Sequence, residues 1–454
     1  MDMKFLYNKG KLLFTDLYEI TMSAVYFYEF KDRWAVFELW IRNLPKERGY
    51  LVFCGLEFVV NYLLNLHFAK EEINFLKKHP VLSHIEKSFF EYLSNIKFTG
   101  NLYGVPEGTI FFENEPVLRV EAPIAEAQIV ETAILNFVTY NTSIATKASR
   151  IKYASQIDGE KRNVVEFGAR RSPDFLSSIY AARASYIAGF DGTSNMLAGK
   201  IFKIPTFGTM AHSFVLSFKN EMESFKKYIK YFPQTTILLI DTYNTLQGAK
   251  KVRKVGENVK AVRIDSGNII SLSKKVRKIL DDEGMRKTGI FVSGDLDEYK
   301  IYQLIKDSAP IDGFGIGTKL VTSDDAPYLG SIYKLVELRK ENKSKKVAKL
   351  SKGKITYPGA KQILRFEENG KFHHDLVISE DENIKEGKRL LMKIIENGNL
   401  IYNLPGLEEI RRYVSEQLSK LPETVKDIYN PYKYKVKFSK RLKKLLDLAR
   451  KGAL

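Results

Sequence analysis

Cysteine is nearly missing from this chain of 454 residues: Cys54 stands alone, which excludes an internal disulfide and any cysteine-rich metal site. Long apolar runs are missing too. The longest, such as TILLI at 236–240, fall far short of the roughly 18 to 20 residues that cross a bilayer, so no membrane-spanning helix is expected. The opening MDMKFLYNKG has no signal-peptide hydrophobic region before the polar break at Asn8–Lys11. Of six histidines, His67, His79, His84, His373 and His374 have no acidic or cysteine partner at metal-ligand spacing and read as structural. No serine- or proline-rich linker is visible, so the two or more domains that this length implies are expected to pack tightly. The chain reads as cytoplasmic.

What is present is a globular composition, 44% hydrophobic and 28% charged, with a net charge of +18. The excess is concentrated in two late runs, RKENKSKKVAKLSKGK (339–354) and KYKVKFSKRLKKLLDLARK (433–451). Nucleic acid is the obvious partner for such a chain, and a basic RNA-binding protein is the alternative of a different class. Neither run interleaves a recognisable nucleic-acid motif, and a solvated loop with a basic terminal helix accounts for both. No nucleic-acid partner is expected.

The most informative stretch is VKAVRIDSGN, 259–268. Alternating apolar residues carry it as a strand to Asp265, where Ser266-Gly267 turns it into the amphipathic run NIISLSKKVRKIL. In sheets whose strands are followed by helices, strand C-termini face the ligand, which places Arg263 and Asp265 where chemistry is done. The build recurs in TILLIDTYNT, GIFVSGDLDE and IDGFGIGT, and upstream in NVVEFGARRSPD, YIAGFDGTSN and FKIPTFGTMAHS. The later starts lie about 20 to 30 residues apart, the length of one strand plus one helix. Six or seven such units predict a parallel α/β barrel; an open doubly wound sheet has nearly the same period.

Before this region the pattern differs. Thr15-Asp16 caps a predicted helix over 14–30, WAVFELWI (34–41) reads as a strand, 51–66, 70–78 and 84–95 as helices, and 100–122 as short β segments between Pro and Gly turns. Long helices return over 124–155, and after Thr318 come β segments at 331–338 and 354–366. The expected division is an α+β domain from 1–125 completed by about 337–400, a barrel from 126–336, and a basic helical extension over 401–454.

Several residues suit chemistry, each with a plainer reading beside it. His212 opens the predicted helix HSFVLSFKNEMESFKKYI, where the macrodipole disfavours the charged imidazole; a histidine capping the core is the alternative. Gly315, Gly317 and Thr318 offer amides and a hydroxyl to a phosphate, or form only a tight turn. Gly294-Asp295 is a second small-acidic turn. Phe167 and Arg170 end the strand VVE and could clamp a flat anion by stacking and a bidentate bond, or serve packing and solubility.

Taken together, TDLYEITM, EFGARRSPD, GTSN, GTMAHSF, DTYNT, RIDSGN, SGDLDE and GFGIGT, with TYPGAKQ after them, closely resemble the nicotinate phosphoribosyltransferase family in content and order. The match runs from about residue 14 to 366, and the last ninety or so residues carry little of it. The resemblance implies a type II phosphoribosyltransferase: an irregular α/β barrel with a second α+β domain built from N-terminal and later segments, acting as a homodimer with shared sites. It implies transfer of phosphoribose from phosphoribosyl pyrophosphate to nicotinate for NAD synthesis, with Mg²⁺ and usually ATP hydrolysis. By the same carry-over, Tyr18 reaches across the dimer to stack on the pyridine ring opposite Phe167, and Arg170, Thr209 and Arg263 surround the carboxylate and the reacting centre. Asp265, Gly294 and Asp295 would hold ribose, and Gly317 and Thr318 its phosphate. Asp241 and Asp265 are candidates for Mg²⁺, and His212 for phosphorylation by ATP. The CxxC-type metal knuckle of some relatives is absent, which removes any zinc role. The nearest rival is nicotinamide phosphoribosyltransferase, whose members carry an acidic residue where GTSN has Ser194.

Overall fold

The strand-then-helix units from Asn163 onward fold as their pattern requires. In the computed structural model, which describes residues 12–341 and 343–454, parallel strands form at Asn163–Glu166, Gly192–Thr193, Ile237–Leu239, Ala261–Ile264, Gly289–Ser293 and Gly313–Ile316. Strands successive in the chain are neighbours in the sheet except for Gly192–Thr193 and Ile237–Leu239, which are not paired with each other and stand at its two edges, and the last strand pairs with the first, Phe314 opposite Val164. A doubly wound sheet reverses its order at a switch point, whereas an order that returns to its own start is that of a barrel.

The barrel is irregular where FKIPTFG was expected to add a strand. That segment contributes one isolated bridge, Thr206 to Thr193. Pro205 has no N–H to give a ladder, although its carbonyl accepts from Thr193 at 3.1 Å. Outside the strands, helices such as Thr245–Val255 and Ile269–Asp282 bury one face each, through Val252 in the first and Val276 and Leu280 in the second.

The chain divides into two compact units: Ile144–Pro327, and the described residues up to Ser143 together with Tyr328–Leu454. The boundaries differ from the expected 126 and 336 for local reasons. Helix Glu131–Ala154 runs unbroken past the first, and strand Ser331–Lys340 pairs antiparallel with Trp34–Ile41 beyond the second.

Both chain regions build the first unit. Its seven-stranded sheet runs in the order 343–346, 331–340, 34–41, 118–123, 101–104, 392–396 and 399–400, and Val36, Trp40, Val336 and Ala360 share one buried cluster on it. The stretch 401–454 is not a separate helical extension. Its strand Val436–Phe438 pairs in parallel with 375–377, and buried Asp375 joins Arg365 to Tyr434, whose hydroxyl lies 3.2 Å away.

Two further sequence readings need correction. The stretch 51–66 opens as the strand Leu51–Val52, paired with Ile110–Phe111, and turns helical only at Leu56, after Gly55 at φ 108°. The first basic run is not all loop, since Lys343–Lys346 pairs with residues 337–340. The opening MDMKFLYNKG and the polar break at Asn8–Lys11, read as lacking a signal-peptide region, lie in 1–11, outside the described residues. Among the described residues, no helix is long and apolar enough to cross a membrane.

Candidate active site

Val262 and Ile264 are fully buried, so the alternation of the strand turns Arg263, between them, to the opposite face. There its guanidinium is held from four directions. Nε donates to Ser293 Oγ at 2.8 Å, Nη1 to Thr209 Oγ1 at 2.9 Å and to the Met210 carbonyl at 3.1 Å, and Nη2 to Asp265 Oδ1 at 2.7 Å. A planar fork so engaged is a cation of fixed position. The Phe167 ring centre lies 6.0 Å from it and packs tilted against Phe291 at 5.8 Å.

Asp265 continues the array. Its Oδ1 accepts from Arg263 and from the Ser293 hydroxyl, while Oδ2 lies 3.8 Å from His212 Nε2. Burial pushes this carboxyl up, but the Ser293 hydrogen bond, Arg263 and His212 outweigh burial and hold it below the ordinary aspartate value. Asp265 is therefore ionised throughout the neutral range. Its backbone N–H and the Ser266 hydroxyl both donate to Asp241 Oδ2, each at 2.9 Å. The other oxygen, Asp241 Oδ1, is buried without a hydrogen-bond partner.

His212 departs from expectation in its helix. That helix ends at Leu216 after five residues, and Asn220 caps a second one, Glu221–Tyr231, by accepting from the Glu223 N–H. So short a helix gives the macrodipole argument little basis. What orients the ring is Thr242, whose hydroxyl lies 3.0 Å from Nδ1, leaving Nε2 directed towards Asp265.

Gly294 and Asp295 lie in the left-handed region, at φ 93° and 47°. A Cβ on Gly294 would fall 2.1 Å from the Asp265 carbonyl oxygen, so only glycine lets these two loops touch. Between them opens a cleft of 480 Å³ lined by Asp265, Asn268, Asp295 and Lys300 among others. Phe167 and Thr209 line a second cavity, 450 Å³, that continues along Val165, Phe291 and Ile237. Arg263 bonds to Thr209 of one and Asp265 of the other. Next to Phe167, whose N–H donates to the Ile316 carbonyl at 2.7 Å, the chain continues through Gly317 into the short helix Thr318–Val321.

The structure thus brings Phe167, Thr209, His212, Asp241, Arg263, Asp265 and Gly294 together. Arg170 is exposed on the single 3-10 turn Ala169–Arg171, and the Ser194 N–H donates to the Glu166 carbonyl at 2.8 Å. Tyr18 belongs to the other unit, on helix Leu17–Glu29, and is 46% exposed. Among the residues that the sequence reading passed over are Ser293, Thr242, Lys300 and Glu166. Glu166 is fully buried; its carboxylate accepts from the Gly168 N–H and from Thr193 Oγ1, fastening the GARR turn to the GTSN turn. Burial pushes its carboxyl up. The one visible sign of it was an acidic residue closing an apolar strand.

The architecture is that of a type II phosphoribosyltransferase fold, and the class narrows on comparison with known proteins. The chain belongs to the nicotinate phosphoribosyltransferase family: models of that family's N-terminal domain match residues 13–139, of the family itself 163–377, and of its C-terminal domain 385–446. A nicotinate phosphoribosyltransferase of Mycobacterium tuberculosis is 41% identical over 438 residues, covering 95% of this chain and 92% of the relative. One from Bacillus subtilis is 39% identical over 94% of this chain and 92% of its own length. Among solved structures, human nicotinic acid phosphoribosyltransferase superposes with a TM-score of 0.82 at 25% identity, over 95% of this chain and 99% of that one.

Proposed function

We propose that this chain transfers the phosphoribosyl group of 5-phosphoribosyl 1-pyrophosphate to the ring nitrogen of nicotinate, giving nicotinate mononucleotide and pyrophosphate for NAD synthesis and salvage. The observation that carries this reading is Arg263, a cation fixed by Ser293, Thr209, Met210 and Asp265 beside the Phe167 ring. Nicotinate is a flat ring bearing one negative charge, and the pair offers a wall for the ring and a counter-charge for the carboxylate. Displacement at the anomeric carbon passes through an oxocarbenium-like state, so the protein has mainly to position the two reactants, stabilise the departing pyrophosphate and exclude water. Asp265, kept ionised, presents Oδ2 to the ribose or the developing cation. Gly294 and Asp295 would hold the ribose hydroxyls, and the amides at Gly317 and Thr318 the 5'-phosphate. No covalent attack by the protein on ribose is needed.

Magnesium fits Asp241 and Asp265. Asp241 Oδ1 is buried and unpartnered, and Mg²⁺ is commonly held by one or two carboxylates together with substrate phosphates. Among the described residues no cluster of three or more histidine, cysteine or acidic side chains could hold a metal ion. When bound, Mg²⁺ would neutralise charge on the leaving group. Around it, Ser266 and the Asp265 N–H orient the Asp241 carboxylate.

ATP coupling through His212 and a homodimer in which Tyr18 completes the neighbour's site belong to the same proposal. With Nδ1 engaged by Thr242, Nε2 is the nitrogen available to accept the γ-phosphoryl group, releasing ADP and a proton. The amide-using rival is disfavoured by Ser194, because a carboxylate there would accept an amide N–H₂ and repel nicotinate. We expect nicotinate to be used at least about a hundredfold better than nicotinamide. A single turnover with nicotinate, phosphoribosyl pyrophosphate and Mg²⁺ tests the reading: pyrophosphate release supports it, and equal use of the two bases in competition would overturn the preference.

A further inference from the structure

Helix Glu131–Ala154 carries two cations, Lys147 and Arg150, into the interior of the barrel unit, and neither side chain has any exposed surface. Burying an unpaired ammonium costs several kcal/mol, so a lysine stays there only where carboxylates meet it. Three do. Its Nζ lies 2.7 Å from Glu298 Oε2, 2.7 Å from Asp325 Oδ1 and 3.5 Å from Asp324 Oδ1. The contact with Asp325 is an aligned hydrogen bond, whereas Glu298 Oε2 is met off the hydrogen-bonding direction, as an ion pair. The second oxygen of Glu298 accepts from Arg150 Nε at 3.1 Å.

These carboxylates stand on the two segments that would carry the phosphoribosyl group. Glu298 is the first residue of helix Glu298–Lys306, three positions after Asp295, and Asp324 and Asp325 follow the short helix that begins at Thr318. Lys319 repeats the tie nearer the surface, 3.1 Å from Asp297 and 3.0 Å from Asp324. Lys147 is therefore a common partner of both segments in the interior, and Lys319 a second one nearer the surface.

We propose that Lys147 is a positioning residue for phosphoribosyl pyrophosphate: it touches no substrate, but fixes the separation of the Gly294–Asp295 turn and the Gly317–Thr318 turn. Apolar packing in place of such a cluster is commonly as stable or more so. What the charges add is geometry, because an ammonium shared by carboxylates on two segments holds one spacing, and misplacement by about 1 Å at a transfer site can cost a hundredfold. This inference rests on the functional reading above.

The test is the charge-balanced double variant Lys147→Met with Asp325→Asn, which leaves the Arg150–Glu298 pair intact. Its KM for phosphoribosyl pyrophosphate should rise at least about tenfold, while the KM for nicotinate and the melting temperature stay near those of the wild type. Lys319→Met, at the half-exposed end of the cluster, does not depend on core packing and should give a smaller rise of the same selectivity. An unmoved KM for phosphoribosyl pyrophosphate in both variants, or an equal rise for both substrates, overturns the positioning role. Should the double variant fail to fold, Lys319→Met decides alone. A wild-type enzyme that releases no pyrophosphate overturns the functional reading instead, and this inference with it.

Discussion

At the scale of single residues, the role proposed for Arg263 depends on its being immobile as much as on its being charged. Lysine would keep the charge but could not satisfy Ser293, Thr209, Met210 and Asp265 at once, since its ammonium is a point donor on a flexible stem. Arg263→Lys should therefore lower kcat/KM for nicotinate about a hundredfold, read from pyrophosphate release, with little change in melting temperature. A fall of less than about threefold would mean that charge alone suffices. His212 would make a separable contribution. With ATP present, His212→Ala should lose the stimulation of rate by ATP and keep basal transfer, and mass spectrometry after incubation with labelled ATP should find the label on this residue in the wild type. Label absent from His212, together with wild-type rates indifferent to ATP, would leave it an orienting partner of Asp265. Arg263 and Asp265 were legible because each occupies a set place at the end of an apolar strand. Ser293, Thr242 and Glu166 were not, because a hydrogen-bond partner is chosen by proximity across neighbouring strands and turns, and a lone sequence does not contain that proximity.

At the scale of elements, the strand-helix period revealed the barrel because each unit buries an apolar strand and one face of a helix. The weak places were those where another force prevailed. Pro205 removed a donor and left a single bridge, and the alternation in KYKVKF was hidden by lysines that stay solvated while Val436 and Phe438 pack. Helix Leu17–Glu29 shows a further property that only packing discloses. Glu19, in its first turn, is fully buried and accepts from the Thr132 N–H at 3.1 Å and hydroxyl at 2.6 Å. Burial outweighs these bonds and pushes its carboxyl from 4.5 up to about 7. The folded state then binds a proton that the unfolded chain has released, so this group lowers stability progressively as pH rises from about 4.5 to about 7, with no further loss above. Glu115, Glu126, Glu131 and Glu166 are raised as well, and the wild-type curve sums all of them. Glu19→Gln keeps the shape of the protonated acid, so its melting temperature should fall less than that of the wild type between pH 5 and pH 8. Parallel curves for the two proteins would show that Glu19 titrates as an ordinary surface acid.

At the scale of the whole molecule, the first helix asks for a partner. Phe14, just before the helix, and Leu17, Tyr18, Val25 and Tyr28 on it are between 38% and 55% exposed, and 18, 25 and 28, with Thr21 between them, follow the alternating spacing of three and four that lines one helical face. An exposed helical face rich in large apolar residues is what an interface covers. Tyr18 lies within it, so dimer contact and ring stacking would be functions of one surface, and each active site would combine Tyr18 of one copy with Asp265 of the other. The consequence is genetic complementation between two inactive chains. Tyr18→Ala and Asp265→Ala homodimers should both be nearly inactive, while a mixture allowed to exchange subunits should contain heterodimers in which one of the two sites has both residues intact. At equal mixing about half of the dimers are then heterodimers, so the sample should recover about a quarter of wild-type activity. If heterodimers form, as a size-tagged copy can establish, and no activity returns, each copy must supply its own tyrosine, and that face of the first helix then serves association without entering the chemistry.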